Sequence, residues 1–392
     1  MDEPVARESP SGTDVPVIDP SQANRAPNDR HTLDAVAILA VLPEYRRSFI
    51  EELTKLTSTS AVKLRFIAGD SHADASVRSS WHPGVTYVSN VHLFGRRMLW
   101  QPGTVFAGIR ADVAIVDLNP RSITAWLIVG TRRLTRRRTL VWGHVNPRAG
   151  RDSRTAPLRR FMRRLSSGVV TYTWTDAEQV NAEQQKSPVW VAANGLYPSD
   201  KLVYNPSSNR YRILYVGRLE TAKRPELLVD AYLRAISKLP DGVKLTLVGS
   251  GSLSSTLEER VEHLGASDQV ELLGHIGDYC ALKQIYAETM ISVSPGYAGL
   301  SLTQSLGFGV PMLVADDEPH APEIELLSPE TGAYFAAGSA EALAARLVEV
   351  FEGRLRWEPE RVMETARGQY SSTAMASGFL AAIIGKQQEE DQ

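Results

Sequence analysis

From Arg212 onward, short apolar runs alternate with amphipathic stretches of helical spacing, and this alternation limits the chain to few folds. "RILYVG" (Arg212–Gly217) is β-rich and ends in glycine; "RPELLVDAYLRAISKL" (Arg224–Leu239) follows it. There Leu227, Leu228, Ala231, Tyr232, Ala235, Ile236 and Leu239 recur on one helical face. The pattern repeats through "VKLTLVG", "LSSTLEERVEHLG", "VELLG", "ALKQIYAE", "MISVS" and "PMLVA" to "SAEALAARLVEVFEG", with Ser339 as N-cap. Strands alternating with helices predict parallel βαβ units with helices on both faces of the sheet. Ligands of such sheets sit beyond the carboxyl ends of the strands.

The N-terminal half alternates less cleanly. "DAVAILAVLP" then "EYRRSFIEELTKL" reads as strand then helix, and "AVKLRFIAG", "ADVAIVD", "TLVWGHV" and "GVVTYTWT" read as further buried strands. A Pro/Ser/Asn-containing joint, "YPSDKLVYNPSSNR" (Tyr197–Arg210), separates the halves. The expectation is α/β, two Rossmann-like domains facing each other across a cleft: residues 32–203 and 204–371. Residues 1–31, acidic and Pro/Ser-rich with no apolar centre, read as a disordered tail rather than a secretory signal.

Charge is uneven. Residues 31–200 hold 23 Lys/Arg against 13 Asp/Glu, and residues 201–392 hold 17 against 26. The basic surplus gathers in "RRLTRRR", "RAGRDSR" and "RRFMRRL", which form a solvated face or meet an acidic partner such as an anionic membrane surface. The basic runs lack the interleaved aromatics that stack on bases, so nucleic acid is not expected. No apolar run approaches membrane-spanning length. With Cys280 alone no intrachain disulfide forms, which suits a cytoplasmic protein. The eight histidines are scattered, no metal-ligand spacing appears, and no "GxSxG" elbow is present. "LVGSGSL" lacks the third glycine of a dinucleotide fingerprint and reads as a tight turn.

Several loops carry residues suited to an anion. In "VGRLETAKRP", Gly217 precedes Arg218, and Lys223 lies five positions on: a planar fork and a point cation between strand and helix. In "SPGYAGLSLTQSL", Gly299, Leu300 and Ser301 would present amides at a helix start; the same loop would serve as a tight corner. His144, in "VWGHVNPR", follows an apolar strand and would bond a sugar hydroxyl or stand as an incidental polar residue; Arg148 nearby shares that ambiguity.

In order and spacing, "YVGRLETAKRPELLVDAY", "LTLVGSGSL", "VELLGHIGD", "GLSLTQSLGFGVPMLVAD", "APEIELL" and "TGAYFAAGSAEALA" resemble the retaining family-4 glycosyltransferases, glycosyl transferases group 1, of GT-B fold. The resemblance covers about residues 210–350 well and the N-terminal half loosely. It implies a nucleotide-diphosphate sugar as donor substrate, with no metal or other cofactor. Arg218 and Lys223 match the cations that neutralise the leaving diphosphate; Gly299, Leu300 and Ser301 match the amides facing it. The base would lie near Gly274, His275 and Ile276, and His144 matches a histidine that contacts the transferred sugar. Residues 372–392 resemble the helix that crosses back onto the N-terminal domain. The family's two glutamates, eight apart, are here Gly296 and Gln304; the glutamine would still bond ribose hydroxyls, and Glu323 would offer a carboxylate to the cleft or helix-terminal charge. Tyr45, Arg46 and Arg47 would face acceptor or phosphate. The acceptor would be a glycan, a lipid-linked sugar or a small soluble molecule, and the protein would be cytoplasmic, peripheral on the inner face of the membrane. A non-catalytic sugar-nucleotide-binding protein is the competing expectation, supported by Gly296 and Gln304.

Overall fold

The computed structural model describes residues 32–71, 78–146, 153, 155–183, 187–204, 207 and 209–388; the expected tail, Arg148 and the chain end after 388 lie outside the described residues. The N-terminal domain opens with β1 (Leu33–Leu39), α1 (Arg47–Ser58), β2 (Val62–Gly69) and β3 (Val85–Val88). An antiparallel hairpin, β4 (Val91–Leu93) and β5 (Met98–Trp100), precedes α2 (Thr104–Arg110), β6 (Val113–Asp117) and α3 (Ile123–Leu134). Then come β7 (Arg138–Trp142), α4 (Ala156–Leu165), β8 (Gly168–Thr171), α5 (Trp174–Ala182) and β9 (Val189–Val191). The main sheet runs β3-β2-β1-β6-β7-β8-β9 with every pair parallel. Residues Ala35–Leu39 of β1 are buried on both faces, the run of small and branched apolar side chains that a helix-covered parallel sheet requires.

The C-terminal domain repeats the plan: β10 (Arg212–Val216), α6 (Pro225–Ala235), β11 (Lys244–Val248), α7 (Ser254–His263), β12 (Val270–Leu272) and α8 (Tyr279–Ala287). It continues with β13 (Thr289–Ser294), α9 (Leu300–Gly307), β14 (Met312–Ala315), β15 (Gly332–Phe335), α10 (Ala340–Phe351) and α11 (Pro359–Gln369). Its parallel sheet runs β12-β11-β10-β13-β14-β15. Strand order reverses direction between β1 and β6 in one sheet and between β10 and β13 in the other, so each domain has a crevice at that switch.

Several boundaries differ from the sequence expectation, for local reasons. "RPELLVDAYLRAISKL" is α-helical only to Ala235 and finishes as a 3-10 turn, Ile236–Lys238, ahead of Pro240. "GVVTYTWT" ends as a strand at Thr171, because Thr173 caps α5 by accepting from Asp176 N at 3.1 Å. Ser339 caps α10 in the same way, accepting from Ala342 N at 3.0 Å. The hairpin, β15 and α11 have no strong period of their own and were not expected.

The last helix, α12 (Ser372–Ile384), lies in the N-terminal core: Met375, Ala376, Phe379, Ala382 and Ile383 pack with Phe49 and Trp142. The Phe379 ring stands 5.4 Å from Phe49 and 4.8 Å from Trp142, centroid to centroid. A further apolar cluster spans the domains, joining Ala177, Val191 and Ala193 to Leu302, Leu306, Val362, Ala366 and Tyr370. Beside it the two interdomain crossings touch. Ser372 N donates to Tyr197 O at 2.8 Å, and a Cβ on Gly195 would stand 2.1 Å from the Ser371 carbonyl carbon. Gly195→Ala must therefore push these backbones apart. An unfolding free energy lower by about 1–3 kcal/mol is expected in urea titration; an unchanged midpoint would remove this contact from the junction.

Candidate functional site

The C-terminal crevice is built from the loops that leave β10, β11 and β13. Immediately after β10, Gly217 and Arg218 turn outward, and Tyr215 Oη holds the turn by donating to Arg218 O at 2.7 Å. A 3-10 turn, Thr221–Lys223, then brings Lys223 back beneath the loop after β13. Lys223 Nζ donates to Tyr297 O at 2.6 Å and lies 4.4 Å from the centre of the Tyr297 ring. Tyr297 N donates to Ala222 O at 3.2 Å, so the two loops are joined by backbone as well. Gly296 sits at this contact: a Cβ there would meet Ala222 O at 2.6 Å. A glutamate, the residue expected from the resemblance, does not fit.

Gly217, Arg218, Lys223, Leu300 and Ser301 line one cavity of about 640 Å³. Gly299 is the N-cap of α9; Leu302 N turns back to Gly299 O at 2.9 Å, and the amides of Leu300 and Ser301 precede the first i→i−4 bond of the helix. His275 and Ile276 form the wall after β12, while Gly274 stands behind it, accepting from Gly249 N at 2.7 Å. Tyr45 and Arg47 reach the cavity from the N-terminal domain, with Arg47 paired to Glu44 at 2.5 Å. Gln304 also lines it, but its amide is already engaged. Nε2 donates to Tyr197 Oη at 2.8 Å and Oε1 accepts from Tyr286 Oη at 3.3 Å, leaving one N–H for a ligand.

Glu323 corrects an expectation. The 3-10 turn Pro322–Leu326 directs it inward, where it is 3% exposed and accepts from Asn194 Nδ2 at 2.7 Å. It bridges the domains and does not line the cavity.

Arg46 and His144 belong to a second cavity, about 690 Å³, at the switch point of the N-terminal sheet; Tyr45 lines both cavities. Arg46, 6% exposed, lies against aromatic faces, 4.5 Å from the Trp142 ring and 4.9 Å from that of Tyr172. Burial opposes its charge, yet the neighbouring Tyr172, Tyr45 and Asp117 prevail and raise its pKa. His144 is lowered to about 4, first by burial and then by repulsion from Arg159 and Arg46, so its imidazole is neutral at pH 7. Asp117, Tyr172 and Arg159 were missed in the sequence. Asp117 had a legible signal, a carboxylate closing the "ADVAIVD" strand at a switch point; Tyr172 and Arg159 had none. Among the described residues no group of three or more His, Cys, Asp or Glu is placed to hold a metal ion.

Residues 199–369 match the family model of glycosyl transferases group 1. The GtfA subunit of the UDP-N-acetylglucosamine–peptide N-acetylglucosaminyltransferase of Streptococcus gordonii is 34% identical over 122 residues, which is 30% of this chain and 23% of that protein. The chain spans between 23% and 49% of the length of the curated relatives it matches. Among solved structures, the apo lipopolysaccharide outer core galactosyltransferase WaaB superposes with a TM-score of 0.64 at 15% identity, covering 91% of this chain and 100% of that one. Anabaena HepE in complex with UDP gives 0.64 at 14% identity, covering 90% and 100%.

Burial pushes Asp117 up to about 6, against the pull of its hydrogen bond from Ala40 N and the charges of Arg46 and Arg159. A carboxyl raised on folding contributes stability below its unfolded value of about 4 and loses it as pH rises through about 6. Asp117→Asn should therefore match the wild type near pH 4 and exceed it by roughly 3 kcal/mol at pH 8 in denaturant titrations. Equal stability at both pH values would show that Asp117 ionises freely.

Proposed function

We propose that this protein is a retaining glycosyltransferase that moves a sugar from a nucleotide-diphosphate donor to an acceptor hydroxyl in glycan biosynthesis; the match of residues 199–369 to the model of glycosyl transferases group 1 and the GT-B fold of the two described domains support this reading. The observation that carries the reading is convergence: Arg218, Lys223 and the first turn of α9 meet at one cavity, at the C-terminal sheet's switch point. The diphosphate sits between the two cations and the helix amides, with the base against Ile276 and His275. The sugar points toward Tyr45, and the acceptor enters from the N-terminal cavity. A bond forms from the acceptor oxygen to the anomeric carbon on the face that the diphosphate leaves. As the anomeric bond to the diphosphate breaks, the acceptor proton passes to the departing phosphate oxygen. Arg218, Lys223 and the amides stabilise the charge that develops there, and no metal is required.

Arg218→Ala and Lys223→Ala are each expected to lower the rate of nucleoside diphosphate release about a hundredfold, by analogy with loss of an oxyanion donor. Near-normal rates in both folded variants would exclude the clamp; nucleotide-sugar binding without turnover in the wild type would favour a binding protein.

The reading extends to a cytoplasmic location on an anionic membrane. No helix among the described residues is long and apolar enough to cross a bilayer. On α3 and α4, however, Leu127, Leu134, Leu158 and Phe161 are exposed among the exposed arginines Arg133, Arg136, Arg160 and Arg164. An apolar face ringed by arginine suits an interface with acidic headgroups. Sedimentation with phosphatidylglycerol vesicles should be strong at low salt and much weaker at high salt or after Leu134→Asp with Phe161→Asp. Equal sedimentation with neutral vesicles would count against the face.

A further inference from the structure

Four buried nitrogens on residues lining the N-terminal cavity have no hydrogen-bond partner: Trp142 Nε1, Arg159 Nε, His144 Nδ1 and His92 Nε2. Native structures retain few such groups, because a buried donor without an acceptor is costly. Here four of those in the described residues fall on side chains that line one cavity. Trp142 is 2% exposed, and its ring is the face on which Arg46 lies. The other terminus of Arg159 is already used, with Nη1 donating to Leu118 O at 2.6 Å and His144 O at 2.8 Å, so its guanidinium is held in place with Nε left over.

Charge in the same cavity is one-sided. Arg46, Arg121 and Arg159 line it, with Asp117 as the carboxylate among the described lining residues. One oxygen of Asp117 is engaged by Ala40 N. A neutral sugar hydroxyl would satisfy an N–H but leave this surplus standing. A compact group with several acceptor oxygens and negative charge meets both demands.

We propose that the N-terminal cavity seats an oxyanion, a phosphoryl or carboxylate group of the acceptor, with Arg159 Nε and Trp142 Nε1 as its donors and Arg46 as its countercharge. That the oxyanion belongs to the acceptor rests on the transferase reading; that an oxyanion binds here does not. The substrate class is thus an acidic glycan or a phosphoryl-bearing one, not a neutral aglycone.

The test uses the full chain saturated with UDP, so that the C-terminal clamp is closed to other anions. Methyl phosphate, methyl glucuronide and neutral methyl glucoside are titrated in turn. The readout is the indole N–H resonance of Trp142, assigned among the seven tryptophans by its loss in Trp142→Phe. One or both anionic probes should shift that resonance and bind at least about tenfold more tightly than the glucoside. A preference for the phosphate assigns a phosphoryl acceptor, and a preference for the glucuronide an acidic sugar. Arg159→Lys, which keeps the charge but removes Nε, should weaken the anionic probes about tenfold, with the UDP-induced rise in melting temperature reporting a folded variant. Equal affinity for the glucoside, or anion binding that leaves the Trp142 resonance unmoved, overturns the proposal. If UDP fails to bind while the anionic probes still shift Trp142, the oxyanion site stands and the donor reading falls.

Discussion

At Gly296 the segment leaving β13 passes so close to the loop leaving β10 that a Cβ would stand 2.6 Å from Ala222 O and 3.0 Å from the Lys223 carbonyl carbon. Tyr297 N donates to that same Ala222 carbonyl, and Lys223 Nζ donates to Tyr297 O. The contact ties together the two loops that flank the switch point, and so sets where Arg218, Lys223 and the start of α9 stand relative to one another. Two flexible cations on independent loops would lose side-chain and loop freedom on binding a diphosphate. Here the lysine and both loops are ordered in advance by bonds within the protein, which is the condition for electrostatic stabilisation without reorganisation.

The same economy of space governs the domain junction. Gly195 allows the outgoing and returning crossings to touch, and α12 then completes the N-terminal core with Phe379 against Trp142 and Phe49. Polar ties sit beside the apolar ones: Glu323 accepts from Asn194, and Glu325 accepts from the amides of Trp174 and Thr175 and from Tyr370 Oη. Two carboxylates drawn from the "APEIELL" turn thereby anchor the C-terminal domain to the N-terminal one. Trp142 links the junction to the N-terminal cavity, because its ring packs on Phe379 and also carries Arg46.

The two crevices differ in how they treat charge. In the C-terminal one Arg218 is exposed, and Lys223 rests on a carbonyl and a ring. In the N-terminal one Arg46 and Asp117 are enclosed with His144 and Tyr172; burial sets the direction for Asp117, His144 and Tyr172, while the neighbours of Arg46 overcome it there. Water-accessible cations exchange ligands readily, as the proposed uptake and release of a diphosphate would require. Enclosed ones discriminate, because an unmatched group leaves them desolvated and unpaired.

The sequence by itself determined the alternation of strands and helices, the glycine-ended strand that sets Arg218 and Lys223 on one loop, and the glycine-rich start of α9. These are local matters: periodicity, turn chemistry and spacing are written within a few residues of each other. It did not determine that Gly296 is a point of backbone contact, that Glu323 faces the junction, that Gln304 is held by two tyrosines, or that Arg46 and His144 share a cavity with Asp117, Tyr172 and Arg159. Only the tertiary structure decided those. Each depends on groups far apart in the chain meeting in space, as Tyr286 meets Gln304 over 18 positions and Asn194 meets Glu323 over 129. Packing of whole elements sets such meetings, and no short stretch of residues encodes them.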